Sequence, residues 1–244
     1  MIVVTTPTGK IGSQLVPLLL SAGERVRVIV RDPAKLPPQF RGEVEIANGS
    51  LDDPRVVSAA LEGAQAAFLV VPFPYAAEDI VEHYLRYVRP TTEAIRQHGV
   101  GRLVYVSGLR VAPANASREP SLSAALDRVI ADAGCDYRAL WCAGFMENLL
   151  GQIEPLRQHG AFFQAARPDV KAPLVAARDI AATAARLLLD RSWTGHGGVA
   201  VMGSGRPLLY RHGGDHERGP RQTNSISADI GRRLQSPVHA GRRK

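Results

Sequence analysis

The chain has 244 residues, of which 45% are hydrophobic, and a formal net charge of +7. This length suits one large α/β domain, and no apolar run approaches the roughly 18 residues that a membrane-spanning helix needs. Residues 204–244 contain nine basic and three acidic residues, so this segment carries +6 and the rest of the chain +1. Such a nearly neutral body argues against a nucleic-acid-binding face, and we expect its partner to be a small molecule rather than nucleic acid or membrane.

The two cysteines, Cys135 and Cys142, form no C-x-x-C pair, and no cluster of histidines lies near them. This usage argues against a disulfide scaffold and a zinc site, and it fits a reducing compartment. The first apolar run begins at residue 2, which leaves no room for a signal peptide. We therefore expect a cytoplasmic protein without a metal.

Residues 2–23 predict a strand, a tight turn and a helix in immediate succession. The run I-V-V at residues 2–4 is typical of a buried parallel strand. Residues 10–22 carry apolar side chains at helical spacing, and Gly23 stands where a helix ends. The amino end of such a helix offers free N–H groups and a positive dipole end to a pyrophosphate. A glycine-containing turn that binds nothing is the alternative.

The glycine pattern of this turn is incomplete. A dinucleotide-binding turn uses three glycines, whereas here Thr6 stands where the first of the three is expected. Gly9 lets the backbone approach a phosphate, Gly12 lets the helix pack on the strand, and the hydroxyls of Thr6 and Thr8 add donors. The residues predicted to bind the cofactor at this turn are Thr6, Thr8, Gly9, Lys10, Ile11 and Gly12.

The second strand, residues 25–30, ends at Arg31 and Asp32. In a dinucleotide-binding fold this position meets the adenosine ribose, where a carboxylate favours NAD and an arginine favours the 2′-phosphate of NADP. Because Arg31 comes first, we expect NADP(H) to be preferred and NAD(H) to remain possible. A solvated Arg–Asp pair is the alternative.

The rest of the chain alternates strands with helices. Such alternation predicts a doubly wound parallel sheet, the Rossmann fold, in an α/β domain. Asp52 or Asp53 is expected to cap the second helix and Asp179 the last one. The predicted strands are residues 44–47, 66–71, 103–106, 137–140 and 199–202; the predicted helices are 55–61, 76–98 with an interruption near Pro90, 120–133 and 179–189.

Two strand ends supply further candidates. Val71 and Pro72 end the fourth strand and are expected beside the nicotinamide half of the cofactor. Ser107 follows the fifth strand, where its hydroxyl is a weak candidate for a catalytic group that bonds a carbonyl or the nicotinamide amide. A serine that only closes a turn is equally compatible with the sequence.

Six segments together resemble the NmrA-like family of the atypical short-chain dehydrogenase/reductase superfamily. They are residues 5–12, 28–35 (V-I-V-R-D-P-A-K), 49–54, 104–109 (V-Y-V-S-G-L), 144–150 (G-F-M-E-N-L-L) and 175–188. The resemblance covers residues 1–203. It implies an NAD(P)-binding Rossmann domain with a small C-terminal lobe, and a substrate pocket lined by Phe145, Met146 and Asn148. Members of this family include NADPH-dependent reductases of quinone, azo and similar acceptors, and redox-sensing regulators without catalysis.

The chain departs from this family at several positions. Ser50 replaces an aspartate expected to contact the adenine, and Trp141-Cys142 replaces an Arg-Pro pair. Short-chain dehydrogenases use a Tyr-x-x-x-Lys pair for proton transfer, and the corresponding positions here are Glu119 and Ser123. Neither residue can do that work, so the catalytic residues stay unknown.

The amino-acid composition of the chain changes at residue 204. Residues 204–244 are basic, poor in apolar residues and without a period, which predicts a disordered tail and an incomplete small lobe. A shifted reading frame from residue 208 onward can encode a helix-forming, family-like string, so we interpret the tail as a frameshifted segment. A natural basic tail that contacts nucleic acid or acidic lipid is the alternative, and sequencing the encoding DNA distinguishes the two.

Overall fold

A computed structural model describes residues 1–72, 78–109, 122–159 and 173–203. The strands are β1 (Ile2–Thr5), β2 (Val26–Val30), β3 (Glu45–Asn48), β4 (Ala66–Leu69), β5 (Arg102–Gly108), β6 (Asp136–Cys142), β7 (Gly144–Phe145), β8 (Leu174–Val175) and β9 (His196–Val201). The α-helices are α1 (Gly12–Ser21), α2 (Pro54–Leu61), α3 (Ile80–His98), α4 (Leu122–Ala131), α5 (Ile153–His159) and α6 (Ala177–Leu189).

Seven strands form one parallel sheet in the order β3-β2-β1-β4-β5-β6-β9, and β7 pairs with β8 in a separate two-stranded sheet. The predicted doubly wound Rossmann sheet is confirmed. Strands β2 and β3 lie on one side of β1, whereas β4 and the strands after it lie on the other side, so the strand order reverses at β1. In such sheets a crevice opens at the carboxyl end of the strands where the order reverses, which places it between β1 and β4.

Helices cover both faces of this sheet because its central strands are apolar on both sides. Val4 packs toward α1 and α6, and its neighbour Val3 packs toward α2, α3 and α4. Successive side chains of a strand point to opposite faces, so the two adjacent valines enter two separate cores. The continuous apolar runs of the sequence thereby correspond to strands buried on both faces.

The ends of α1 follow from its sequence. Gly23 has a φ of +78°, its amide donates to the Leu20 carbonyl, and the amide of Glu24 donates to the Leu19 carbonyl. These two bonds form the Schellman motif that ends many helices at a glycine. The predicted C-terminal glycine of α1 is confirmed, whereas the helix begins at Gly12 instead of residue 10.

Two local predictions were wrong. The helix α3 continues through Pro90, although this proline has no N–H to donate to the Arg86 carbonyl. Buried residues on both sides of it, Val88 and Thr91, pack the helix into the core. Asp179 does not cap α6, since this helix begins at Ala177 and Asp179 lies within its first turn. At α2 the capping residue is Asp53, whose carboxylate accepts from the Arg55 amide at 2.9 Å.

Predictions about the loop that follows Pro72 and about residues 204–244, including the frameshift hypothesis, lie outside the described residues. No helix in the described part of the chain is both long and apolar enough to cross a membrane.

Candidate cofactor site

The turn between β1 and α1 leaves three backbone amides in a row without a recorded acceptor among the described residues. Within the described ranges, no hydrogen bond is recorded from the amides of Lys10, Ile11 and Gly12. The N-cap residue of α1 is Ile11, which has no side-chain oxygen to accept a bond, so the helix does not cap itself. Free amides at a helix N-terminus bind phosphate through hydrogen bonds and the positive end of the helix dipole.

The left-handed backbone of Thr6 and the missing side chain of Gly12 determine the shape of the turn. Thr6 has a φ of +49°, a left-handed conformation that glycine adopts easily and that costs a β-branched residue about 1–2 kcal/mol. Its carbonyl accepts a bond from the Gly9 amide at 3.0 Å. A Cβ on Gly12 would lie only 2.3 Å from that same carbonyl oxygen, so position 12 admits no side chain. Thr6 therefore keeps the backbone shape of the missing first glycine at a cost in strain.

Gly9 leaves more room than Gly12. A Cβ at position 9 would lie 3.2 Å from the Thr6 carbonyl oxygen, which is a tight but tolerable contact. Thr8 next to it is exposed. Together, the row of unpartnered amides and the crowded glycine fit the pyrophosphate of a dinucleotide.

Arg31 lies exposed just beyond β2, and no ion pair or hydrogen bond of its side chain is recorded among the described residues. The Asp32 carboxylate is already engaged, because one of its oxygens accepts from the Ala34 amide at 3.1 Å and the other lies 3.8 Å from the Lys35 ammonium. The arginine is thus the freer of the two charged groups at this strand end.

At the carboxyl end of β4, Val71 is partly buried and Pro72 is exposed. The Thr5 hydroxyl accepts from the Val70 amide at 2.9 Å and so extends the contact between β1 and β4 beyond the strands. A ring nitrogen of His83 lies 3.1 Å from the Pro72 carbonyl oxygen. The exit of β4 is therefore tied to both β1 and α3.

Ser107 is 7% exposed, and its hydroxyl has no hydrogen-bond partner within the part of the chain that the structure describes. A buried hydroxyl without a partner is costly and requires an explanation. Ser107 is the second-last residue of β5, at the same sheet edge as the β1–α1 turn. A ligand atom at this edge would satisfy the hydroxyl.

The predicted substrate segment, residues 144–150, lies against the turn between β1 and α1, which we call the phosphate turn after its predicted ligand. The Lys10 ammonium donates to the Glu147 carbonyl at 3.0 Å and to the Asn148 side-chain oxygen at 3.1 Å. Phe145 is half-buried, whereas Met146 and Asn148 are exposed. The structure thus brings one predicted cofactor residue, Lys10, and one predicted pocket residue, Asn148, into direct contact.

Glu147 has a role that the sequence did not reveal. Its two carboxylate oxygens lie 2.8 and 3.0 Å from the Ala177 amide, at the first residue of α6. Because Ala176, the N-cap residue of this helix, has no side-chain acceptor, Glu147 caps α6 from a distant segment. No local sequence signal marks such a contact.

A second contact that the sequence did not reveal joins Tyr105, on the same strand as Ser107, to Asp127. The Tyr105 hydroxyl donates to the buried carboxylate of Asp127 on α4, and burial raises the pKa of Asp127 to about 6. Tyr105 and Ser107 are two residues apart on β5 and so share one face of the sheet.

Of the two positions that the Tyr-x-x-x-Lys pair would take, Ser123 lies in α4 and Glu119 lies outside the described residues.

Cys142 ends β6 at this edge of the sheet, whereas Cys135 immediately precedes β6 at the opposite edge. Both thiols are free and buried, and burial raises the pKa of Cys135 to about 11 and that of Cys142 to about 12. A search of the described residues finds no group of three His, Cys, Asp or Glu side chains that could hold a metal ion.

Comparison with known protein families identifies a match over most of the chain. A sequence profile described as NAD(P)H-binding matches residues 7–191. The chain is also 30% identical over 188 residues to an NAD(P)H azoreductase of Xenophilus azovorans, a match that covers 77% of this chain and 63% of the azoreductase. The chain therefore spans less than two thirds of the length of this relative.

Solved structures share the fold. A nucleoside-diphosphate-sugar epimerase from Staphylococcus aureus has a TM-score of 0.68 at 17% identity, with 83% of this chain and 71% of the epimerase covered. An NADPH-dependent quinone oxidoreductase from Escherichia coli, in complex with NADPH, has a TM-score of 0.64 at 23% identity, with coverages of 81% and 68%. At these identities the likeness concerns the fold alone, which is shared by an epimerase and a reductase.

Proposed function

The chain belongs to the NAD(P)H-binding family, and from this premise we propose that it is an NADPH-dependent reductase of quinone, azo or carbonyl-type acceptors. The observation that carries the proposal is the row of amides at Lys10, Ile11 and Gly12, for which the described part of the chain offers no acceptor. These amides would hold the pyrophosphate, and the Ser107 hydroxyl would contact the nicotinamide half or the acceptor. A bound reduced nicotinamide supplies the hydride.

The acceptor class is inferred from the relatives. The Xenophilus protein is an NAD(P)H azoreductase, and the G-F-M-E-N segment of this chain resembles the pocket segment of quinone and azo reductases. Such acceptors are electrophilic and need no Tyr-x-x-x-Lys pair when positioning does most of the work. The absence of that pair at Glu119 and Ser123 is therefore compatible with a reductase.

A steady-state assay tests this proposal. The purified protein is mixed with NADPH and a panel of quinone, azo and carbonyl acceptors, and the consumption of NADPH is followed. We expect acceptor-dependent oxidation that saturates with NADPH and falls at least about tenfold for Gly12→Ala, whose new Cβ would lie 2.3 Å from the Thr6 carbonyl oxygen and force the turn to shift.

A regulatory protein that binds NAD(P) without turnover is the second candidate. Glu119 and Ser123 favour it, since neither side chain can replace the tyrosine and lysine of a catalytic pair. Saturable NADPH binding without turnover across the whole acceptor panel would support this function and contradict the reductase.

We propose further that the protein prefers NADPH to NADH. Arg31 is exposed and unpaired among the described residues, whereas Asp32 is held by Ala34 and Lys35. A guanidinium forms charge-assisted hydrogen bonds with a 2′-phosphate, and these are worth about 1.5–3 kcal/mol in proteins.

We predict that Arg31→Ala weakens NADPH binding about tenfold and leaves NADH binding within about twofold. Arg55→Ala, which removes one exposed positive charge from the first turn of α2, is the matched control and should change neither affinity. Equal affinities for both coenzymes in the wild type and in Arg31→Ala would remove Arg31 from this role.

A further inference from the structure

An open groove between α2 and α3 holds a serine–histidine pair. The Ser58 hydroxyl lies 2.9 Å from Nε2 of His98 and 3.3 Å from the side-chain oxygen of Gln97. A hydroxyl has one hydrogen to donate, and the shorter contact, to His98, takes it when that ring nitrogen carries no proton. The His98 ring is then placed to remove the proton of Ser58, which is the arrangement that activates a weak hydroxyl nucleophile.

The groove beside this pair is large enough for a small molecule. Ser58 and His98 are both partly buried, and they line a groove of about 490 Å³, a volume typical of ligand sites. His98 ends α3 shortly before β5 begins at Arg102. The groove therefore lies toward the amino end of the strands, away from the coenzyme crevice at their carboxyl end.

Electrostatic features on both sides of the pair favour its ionisation. Arg55 precedes Ser58 by three positions on α2, so the two side chains share one face of the helix, and both line the groove. A guanidinium at this position can stabilise negative charge on a carbonyl oxygen that Ser58 attacks. His98 lies at the C-terminus of α3, where the negative end of the helix dipole stabilises a protonated imidazole.

We propose that Ser58 is a nucleophile that accepts an acyl group from small activated esters, with His98 as its general base and Arg55 as the oxyanion stabiliser. The Ser58 Oγ forms a bond to the ester carbonyl carbon while Nε2 of His98 takes the hydroxyl proton. The bond between that carbon and the leaving alcohol oxygen then breaks, and His98 gives its proton to this oxygen. The product is an acyl ester of Ser58. No oxidation or reduction occurs, so this activity is independent of the proposed reductase.

Acetylation by p-nitrophenyl acetate tests the proposal. The full chain is incubated with this ester, the release of nitrophenolate is followed, and the acetylated residue is located by peptide mass spectrometry. We expect an acetyl group on Ser58 that is lost in Ser58→Ala. Its rate of formation should fall at least about a hundredfold in His98→Gln, whose new side chain can bond to Ser58 but takes up no proton, and about tenfold in Arg55→Gln.

Ser192→Ala is the matched control. The Ser192 hydroxyl is also held by an ionisable side chain, but its recorded partner is the Asp190 carboxylate, at 2.6 Å, instead of a histidine. This variant should acetylate Ser58 at the wild-type rate, and unchanged thermal unfolding midpoints show that the variants are folded.

Two results would overturn the inference. One is acetylation confined to lysines and the amino terminus, and the other is an undiminished rate at Ser58 in His98→Gln. Either result would leave the Ser58–His98 contact as a hydrogen bond that only joins α2 to α3. If His98→Gln does not fold, the exposed Arg55→Gln decides, and a wild-type rate in that variant contradicts the proposal.

Discussion

At the scale of single residues, the phosphate turn depends on backbone geometry more than on side chains. Thr6 adopts a φ of +49° so that its carbonyl can meet the Gly9 amide, and that same carbonyl leaves no space for a side chain at Gly12. Two glycines and one strained threonine therefore do the work for which related turns use three glycines.

The strain at Thr6 gives a prediction with a definite sign. Thr6→Gly should raise the free energy of unfolding by about 0.5–1 kcal/mol, because relief of the left-handed strain outweighs the larger entropy of the unfolded chain. Chemical denaturation measures this change. Thr8→Gly is the control, since Thr8 has no positive φ and the added freedom of its unfolded chain should destabilise the protein. A loss of stability in both variants would show that position 6 is not strained.

At the scale of elements, long-range capping joins the substrate segment to the last helix. The Glu147 carboxylate serves as the missing cap of α6, although Ala177 lies 30 residues further along the chain. A carboxylate at a helix N-terminus gains both from the hydrogen bond and from the helix dipole.

We predict that Glu147→Ala lowers the free energy of unfolding by about 1–2 kcal/mol and that Glu147→Gln, which keeps an acceptor oxygen, loses about half as much. Glu154→Ala removes an exposed glutamate of α5 whose recorded partner is Gln158, and it should cost far less. Denaturation midpoints of the four proteins provide the comparison. Equal midpoints for Glu147→Ala and Glu154→Ala would contradict the cap.

The contact between β5 and α4 includes the buried carboxyl group of Asp127, which makes the free energy of unfolding depend on pH. The pKa of Asp127 is about 6 in the folded protein and about 3.9 when the chain is unfolded, so the folded state binds more protons between these values. Asp127 therefore contributes stability that is fully present at low pH and is lost as the pH rises through 6.

Asp127→Asn should abolish this component. The stability of the variant relative to the wild type should rise by about 1–3 kcal/mol between pH 4 and pH 7, even if the substitution costs a constant amount at every pH. Asp132→Asn, at an exposed position just after α4, is the control and should run parallel to the wild type. Thermal denaturation across this pH range measures the difference, and a flat difference for Asp127→Asn would refute the buried-acid account.

The elements that the sequence predicted well are those whose signals are local. The I-V-V run, the helical spacing after it and Gly23 together indicate β1, the turn and α1 without knowledge of the rest of the chain. Asp53 was one of two candidates for the cap of α2 for the same reason. The expectation at Pro90 was wrong because the local effect of a proline is to break a helix, whereas α3 is held by its packing on α2 and α4.

The contacts that define the candidate site were hidden because they join distant segments. Lys10 and Asn148 lie 138 positions apart, and Tyr105 and Asp127 meet only because α4 packs on β5. The sequence predicted Lys10 in the β1–α1 turn, and the family resemblance placed Asn148 in a substrate pocket, but only the folded chain shows that they touch. The role of Glu147 was missed for this reason as well.

At the scale of the whole molecule, the parallel sheet brings all these groups to one edge. The ends of β1, β4 and β5 lie side by side, so the β1–α1 turn, the exit of β4 and Ser107 lie at one edge of the sheet. The Lys10 contact then attaches the segment after β6 to the same edge. The proposed coenzyme site thus depends on local turns, and the proposed acceptor site depends on a long-range contact.

The central claim is that a coenzyme pyrophosphate binds the backbone amides at the start of α1. A titration of the 15N-labelled protein with NADPH tests it most directly, through the backbone resonances of Lys10, Ile11 and Gly12. We predict large, saturable shifts of these three amides, since each gains an acceptor on binding. Absence of binding by the folded protein, or saturable binding that leaves these three resonances in place, would contradict the account.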